Sequence, residues 1–268
     1  IFKREEMITL LNGDVWEEDQ LLEHMQDDEF YYGYCSKAMM SNSKCKLMAK
    51  SPKSFYYVDK YQTNEQPLRD GWLFHAAILE PHVFDAQVFA KTKTKGVAFK
   101  ELEKAHGKGN VYSQKEKQDA ERLARAFTVN QKAMSALRNS QFEVPNFGMI
   151  DGIPFRGKAD ILTEDGRIID LKTCQNITHF TKDAYQMGYD MQTYIYSHLW
   201  DISYEKFEFI AIDKKTLDIG FYKCSKEFWE SGKQKIENVL KAYKNHIQDK
   251  DKEEVTEFIN NYYFEDTL

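Results

Sequence analysis

Two aspartates ten residues apart, Asp160 and Asp170, and a lysine two positions after the second, Lys172, are the side chains whose types and spacing could do chemistry. They lie in RGKADILTEDGRIIDLKT, residues 156–173. The outer parts of this stretch are apolar and β-branched, and Asp165-Gly166 between them is a two-residue hairpin signal, so two antiparallel strands are expected. That pairing brings Asp160 and Asp170 together. The period of two along a strand puts Asp170 and Lys172 on one face and Ile169 and Leu171 on the other. Two carboxylates held close repel, and a desolvated carboxylate needs a partner. A small hard cation such as Mg2+ supplies one, bound by one or two carboxylates with room left for water and phosphate oxygens. Lys172 beside it could orient or deprotonate a water and balance charge building on a phosphoryl oxygen. A bare D-x-K also makes an ordinary surface salt bridge on a hairpin, so the rest of the chain has to decide.

In this strand context Asp160 followed by Asp170-Leu171-Lys172 resembles the PD-(D/E)xK nuclease superfamily. Gly157-Lys158-Ala159-Asp160, then IIDLKT, then GYDMQTYIY at 188–196 resemble the G-x-x-D, D-x-K-T and Q-x-x-x-Y motifs of its RecE/RecB-type branch. Over roughly 41–223 the chain is similar to phage-type RecE exonucleases, also called exodeoxyribonuclease VIII. The resemblance implies an α+β fold, a central mixed sheet of about five strands with helices on both sides. It also implies a metal-ligating histidine, written G-x-x-x-H and matched by Gly71 to His75, whereas a lone helical histidine among apolar neighbours is more often a packed core residue than a ligand. The implied site has Asp160, Asp170, His75 and the Leu171 carbonyl holding one or two Mg2+ ions. Mn2+ could substitute, and the imidazole somewhat favours it. Lys172 would position the attacking water, and Glu143, on the strand before Asp160, would assist or be a plain surface residue. Gln192 and Tyr196, four apart on one helix face, would hydrogen-bond the DNA backbone or brace Lys172, or simply be satisfied polar groups. The expected activity is 5′ to 3′ digestion of linear duplex DNA ends by a ring-shaped homo-oligomer, beside a single-strand annealing recombinase, in the cytoplasm of a bacterial host of phage or prophage. A structure- or site-specific endonuclease and a non-catalytic DNA-binding module are the other readings.

The elements that must position these residues follow from periodicity and caps. SNSKCKLMAK predicts a helix from Ser41 or Ser43, stopped at Ser51-Pro52. Leu68, Trp72, Ala76 and Leu79 predict the helix that carries His75, ended by Pro81. Residues 115–139 predict one amphipathic helix about six turns long. Phe142–Ile150 and Ile153–Leu162, joined at Asp151-Gly152, predict a hairpin that continues into 167–173. Residues 178–200 predict one helix with a stripe of Ala184, Met187, Met191, Ile195 and Leu199. FEFIAID and DIGFYKC predict a strand pair, and residues 226–247 a final helix.

Bulk properties bound the rest. With 268 residues, 42% of them hydrophobic, the chain can form one sizeable core, expected at 41–268 with an acidic arm at 1–40. No long apolar run or signal-peptide pattern appears, and four cysteines without C-x-x-C spacing suggest free thiols in a reducing compartment rather than the iron–sulfur site of related CRISPR adaptation nucleases. The net charge of −6 is uneven. Residues 1–30 hold ten acids against Lys3 and Arg4, whereas residues 91–108 hold six lysines against Glu101 and Glu103. That stretch, with Lys91, Lys93, Lys95, Lys100 and Lys108, is expected to be a loop that either tracks a phosphate backbone or forms a solvated face. The acidic arm is expected to pack on the domain or on a neighbouring subunit, and a subunit contact clear of the DNA is its candidate role.

Overall fold

The computed structural model describes residues 7–57, 66–92, 96–107 and 109–263. Lys93, Lys95 and Lys108 therefore lie outside the described residues. The N-terminal segment forms a hairpin of β1 (Met7–Thr9) and β2 (Val15–Glu17), followed by α1 (Glu18–His24), a π-helical turn (Phe30–Tyr34) and α2 (Cys35–Ala38). Ile8, Leu10, Leu21, Met25 and Tyr31 are buried together, with Phe147 of the central sheet packed on them. Met40 then runs alongside the sheet: its N–H donates to the Pro154 carbonyl (2.8 Å), and its carbonyl accepts from the Arg156 N–H (2.9 Å).

Serine caps set the next two helices. Ser41 accepts from the Lys44 N–H to start α3 (Asn42–Lys50), and Ser51 accepts from the Ser54 N–H to start α4 (Pro52–Tyr56), with Pro52 in the first turn. The histidine-bearing helix is α5 (Gln66–Leu79), and Pro81 opens the short α6 (Pro81–Asp85). Its buried face differs from the expected one. Leu68 and Trp72 are exposed, while Leu73, Phe74, Ala76, Ile78 and Leu79 are buried, because two layers flank this helix rather than one. Strands β3 (Val88–Phe89) and β4 (Val111–Tyr112) pair in parallel around α7 (Val97–His106). The lysine-rich stretch is thus largely a helix, anchored by buried Phe99, with Lys100 on its exposed side and exposed Lys91 before it.

The expected six-turn helix is two. Helix α8 (Gln114–Val129) ends at Asn130, whose side chain leaves the helical pattern to accept from the Ala133 N–H and cap α9 (Gln131–Ser135). Next come β5 (Gln141–Ile150), β6 (Ile153–Leu162) and β7 (Ile168–Cys174). Asp165-Gly166 is not a two-residue loop. The Thr163 N–H donates to the Arg167 carbonyl and the Gly166 N–H to the Thr163 carbonyl (both 2.9 Å), closing a turn that ends in left-handed Gly166 (φ 74°). The expected helix over 178–200 is also divided. Helix α10 (Phe180–Gln186) stops before exposed Met187, and α11 (Tyr189–Leu199) restarts after left-handed Gly188. There follow β8 (Phe207–Asp213), β9 (Ile219–Lys223), α12 (Lys226–His246) and α13 (Lys252–Asn261).

The five strands β5 to β9 form one mixed sheet in chain order, antiparallel except for the parallel β7–β8 pair. The two sides of β7 and β8 bury different layers. Ile168, Phe207, Phe209 and Ala211 pack with α3, α10, α11 and α12, whereas Ile169, Leu171, Ile210 and Ile212 pack with α5, α8 and α9. Alternation along IIDLKT therefore aims Asp170 and Lys172 at the α11 side, as the period of two predicts.

Candidate active site

The β6–β7 ladder pairs only Leu162 with Ile168 and Ile161 with Ile169, and it opens where Asp160 would face Asp170. In the opening the Asp160 carboxylate takes the place of a strand partner, accepting the Leu171 N–H at 2.7 Å. The same residue is flanked on its other side by β5. There the register runs from Phe142↔Ile161 to Val144↔Ala159 and skips Glu143, which is left-handed (φ 50°). A non-glycine residue with that φ inside a strand is costly, of order 1–3 kcal/mol, and such strain gathers at functional sites. Here it turns the Glu143 carboxylate toward Asp160.

Helix α5 brings the third side chain. His75 Nδ1 lies 3.4 Å from Asp160 Oδ2, and its Nε2 lies 2.8 Å from the Leu171 carbonyl. Ligand atoms of His75, Glu143 and Asp160 all lie within 4.8 Å of one another. Asp170 sits beside this trio, not in it. Its Oδ1 accepts from Gln192 Nε2 (2.5 Å) and its Oδ2 is 2.5 Å from Lys172 Nζ, although that buried oxygen has no hydrogen bond of good geometry.

Electrostatics identify what the arrangement lacks. Burial, and then the charge of Asp160, push the Glu143 carboxyl up to about 8; burial and Asp170 push Asp160 up to about 6, against the pull of His75 and Lys172. Burial works against the Lys172 ammonium, but Asp170, Tyr189 and Asp160 outweigh it and raise its pKa. Carboxylates crowded with an imidazole, and one buried oxygen without a good donor, form a donor set that fits a divalent cation.

A family model described as "PDDEXK-like domain of unknown function (DUF3799)" matches residues 40–261. The chain belongs to this PDDEXK-like family. A solved structure described as a "Putative exonuclease" from Eubacterium rectale is 18% identical, with a TM-score of 0.60 over 90% of this chain and 95% of that one. At that identity the likeness shows a shared fold. A second structure, that of SSO0001, is 16% identical with a TM-score of 0.30 over 47% of this chain and 68% of that one, too distant to argue from. No curated protein gives a significant match.

Within the PDDEXK-like site, the remaining sequence-selected residues divide by what they touch. Gln192 holds Asp170, and so fixes the carboxylate rather than bracing Lys172 directly. Tyr196 is buried, its hydroxyl donating to the Lys158 carbonyl (2.9 Å) and accepting the Lys158 N–H (3.2 Å). It positions β6 instead of facing DNA. Gly157 lets it do so, since a Cβ there would lie 2.9 Å from Tyr196 Cε1; this is the physical content of the glycine in G-x-x-D.

Four further residues stand near the site: Tyr189, which its spacing places close to Gln192, and Glu80, Tyr31 and Tyr32, which carry no such signal in the sequence. Tyr189 lies one turn before Gln192, and its ring sits 4.8 Å beneath the Lys172 ammonium. Glu80, five residues after His75, adds negative charge near Glu143. Tyr31 and Tyr32 stand with their ring centroids each 5.2 Å from Lys158 Nζ, and Lys158 also pairs with Asp28. The N-terminal segment therefore packs on the domain, one of its two expected places, and brings Tyr31 and Tyr32 within the field of Glu143. Only Tyr189 carried a legible signal, its spacing to Gln192; contacts of the N-terminal turn depend on tertiary packing alone.

Proposed function

We propose that the chain is a divalent-metal-dependent deoxyribonuclease that digests linear duplex DNA in the manner of the RecE-type enzymes, from 5′ ends and leaving 3′ single-stranded tails. The observation that carries the nuclease reading is the opened β6–β7 ladder, in which Asp160, Glu143 and His75 converge beside the Asp170–Lys172 pair. Glu143, Asp160 and His75 would hold a cation, Mg2+ or Mn2+, with Asp170 and the Leu171 carbonyl adjoining. When bound it would supply Lewis-acid stabilisation for the charge that builds on the phosphate. Lys172, kept as an ammonium by Asp170, donates a hydrogen bond that orients the water or the phosphoryl oxygen. Gln192 prevents Asp170 from turning away, and Tyr196 fixes the strand that presents Asp160. The RecE-like reading extends to a ring-shaped oligomer, an annealing recombinase as partner and a cytoplasmic setting. Among the described residues no helix is long and apolar enough to cross a membrane.

The test compares end-labelled linear duplex with covalently closed duplex, in Mg2+ and in EDTA. Metal-dependent loss of the linear form alone is expected. Cutting of closed circles would replace the exonuclease reading with an endonuclease one, and no cutting of either would remove the nuclease reading.

A further inference from the structure

Lys46 is the cation near the site that the reading above leaves unused. It lies on α3, half-buried, with its aliphatic stem laid across Gly188. A Cβ on Gly188 would stand 2.9 Å from Lys46 Cγ and 3.0 Å from Cδ, so glycine serves there both for its left-handed backbone (φ 68°) and for the space it leaves. Gly188 immediately precedes Tyr189, whose ring centroid is 4.8 Å from the Lys172 ammonium, so the Lys46 stem runs toward the Asp170–Lys172 pair. Burial and the Lys172 charge push the Lys46 pKa down, and Asp170 pulls the other way. Neither Asp170 oxygen is its partner, since one meets Gln192 and the other Lys172. Among the described residues Lys46 has no hydrogen bond or ion pair, unlike Lys44, which donates to the Met39 carbonyl at 2.9 Å.

An ammonium drawn partly out of water next to another ammonium is unfavourable until an anion joins them. We propose that Lys46 is a phosphate-binding, substrate-positioning residue, which holds a backbone phosphate of the strand in the site side by side with Lys172. The proposal rests on the nuclease reading for its choice of anion. Lys172 is tied to Asp170 and Tyr189, whereas Lys46 is free to meet substrate, so its contribution falls on binding more than on the chemical step.

Lys46→Met keeps the stem over Gly188 and removes the charge. Affinity for a short blunt duplex is measured by fluorescence anisotropy with Ca2+ in place of Mg2+, across a salt series, for wild type, Lys46→Met and Lys46→Arg. Expected are a roughly tenfold loss for Lys46→Met, the scale of one charge-assisted hydrogen bond, and a log K against log salt slope flatter by about one. Lys46→Arg should keep the slope, and all three proteins should melt together. In Mg2+ turnover, KM should rise with kcat little changed. An unchanged affinity and slope, or a lowered melting temperature with an unchanged slope, overturns the proposal. The nuclease reading fails separately: a wild type that binds duplex through Lys46 but never cuts sinks that reading and leaves the phosphate site, while a wild type that binds no duplex sinks both.

Discussion

Asp170 is the side chain on which the other charges of the site depend. It is 2% exposed, anchors Lys172 and Gln192, and raises the pKa of Asp160. Asp170→Asn preserves shape and removes one charge, so cleavage should fall by at least about a hundredfold, the scale seen when a principal electrostatic group is lost. Near wild-type cutting of end-labelled duplex by this variant would show that the mechanism runs without it. Glu143 and Asp160 make a second prediction through their protons. Their folded-state values, about 8 and about 6, lie above the ordinary 4.5 and 3.8. Between those limits the native state holds more protons than the unfolded one, so stability rises as pH falls through the folded values and declines as pH rises. In EDTA, wild type should therefore melt higher at pH 6 than at pH 8, by more than Glu143→Gln does. Saturating Mn2+ or Mg2+ should shrink or reverse the trend, because a cation competes with those protons. A wild type whose melting temperature climbs from pH 6 to pH 8 in EDTA, with Glu143→Gln parallel to it, would refute the coupling.

At the scale of elements, what could be read in advance was whatever depends on local pattern. Ser41, Ser51 and Pro52 fix α3 and α4 through their own side chains, and β5, β6 and β7 follow from alternation and turn chemistry. Breaks inside helical patterns were harder to see, because Asn130 and Gly188 are also tolerated within helices and only the surrounding packing makes them ends. Helix α13 begins at a capping box of Asp251 and Glu254, a local signal set in a stretch rich in charge. The position of α11 is what aligns Gln192 with Asp170, and α12 sets it. Gly232 of α12 lies so close that an added Cβ would be 2.0 Å from the Asp190 carbonyl oxygen, and the buried Asp190 carboxylate is tied to Lys235 (2.6 Å) and Ser231 (2.7 Å). Gly232→Ala should therefore force the helices apart, costing about 2 kcal/mol or more. That is a fall of roughly 4–8 °C in melting temperature for a chain of this size. Activity should fall with it at temperatures where the variant is folded, because Gln192 shifts with α11. Wild-type melting and turnover would mean that the crossing relaxes freely and does not set the site.

At the scale of the molecule, the proposed nuclease chemistry at the site is indifferent to which strand end enters first. Direction must come from the walls around it. One wall is the N-terminal unit, where Tyr31 and Tyr32 flank Arg156 and Lys158 on β6; the other is α3, whose Lys46 stem lies over Gly188, next to the Tyr189 ring beneath Lys172. These walls differ in chemistry, with two tyrosines against Arg156 and Lys158 on one side and the lysine stem of Lys46 on the other. On the nuclease reading, a strand lying between them would meet different groups from its reverse. That asymmetry was invisible in sequence, where residues 1–30 read as an acidic segment with ten acids, because the small core formed by Ile8, Leu10, Leu21, Met25 and Tyr31 depends on tertiary packing. The RecE-like reading assigns entry to a 5′ end. Blunt linear duplex should then be shortened from its 5′ ends in a magnesium-dependent, ATP-independent reaction that leaves 3′ tails. A duplex labelled separately at each end of one strand decides between the directions. Early release of the 5′ label with the 3′ label retained is expected; early release of the 3′ label as mononucleotide would reject the RecE-like assignment and still leave Asp160, Asp170 and Lys172 as the cutting site.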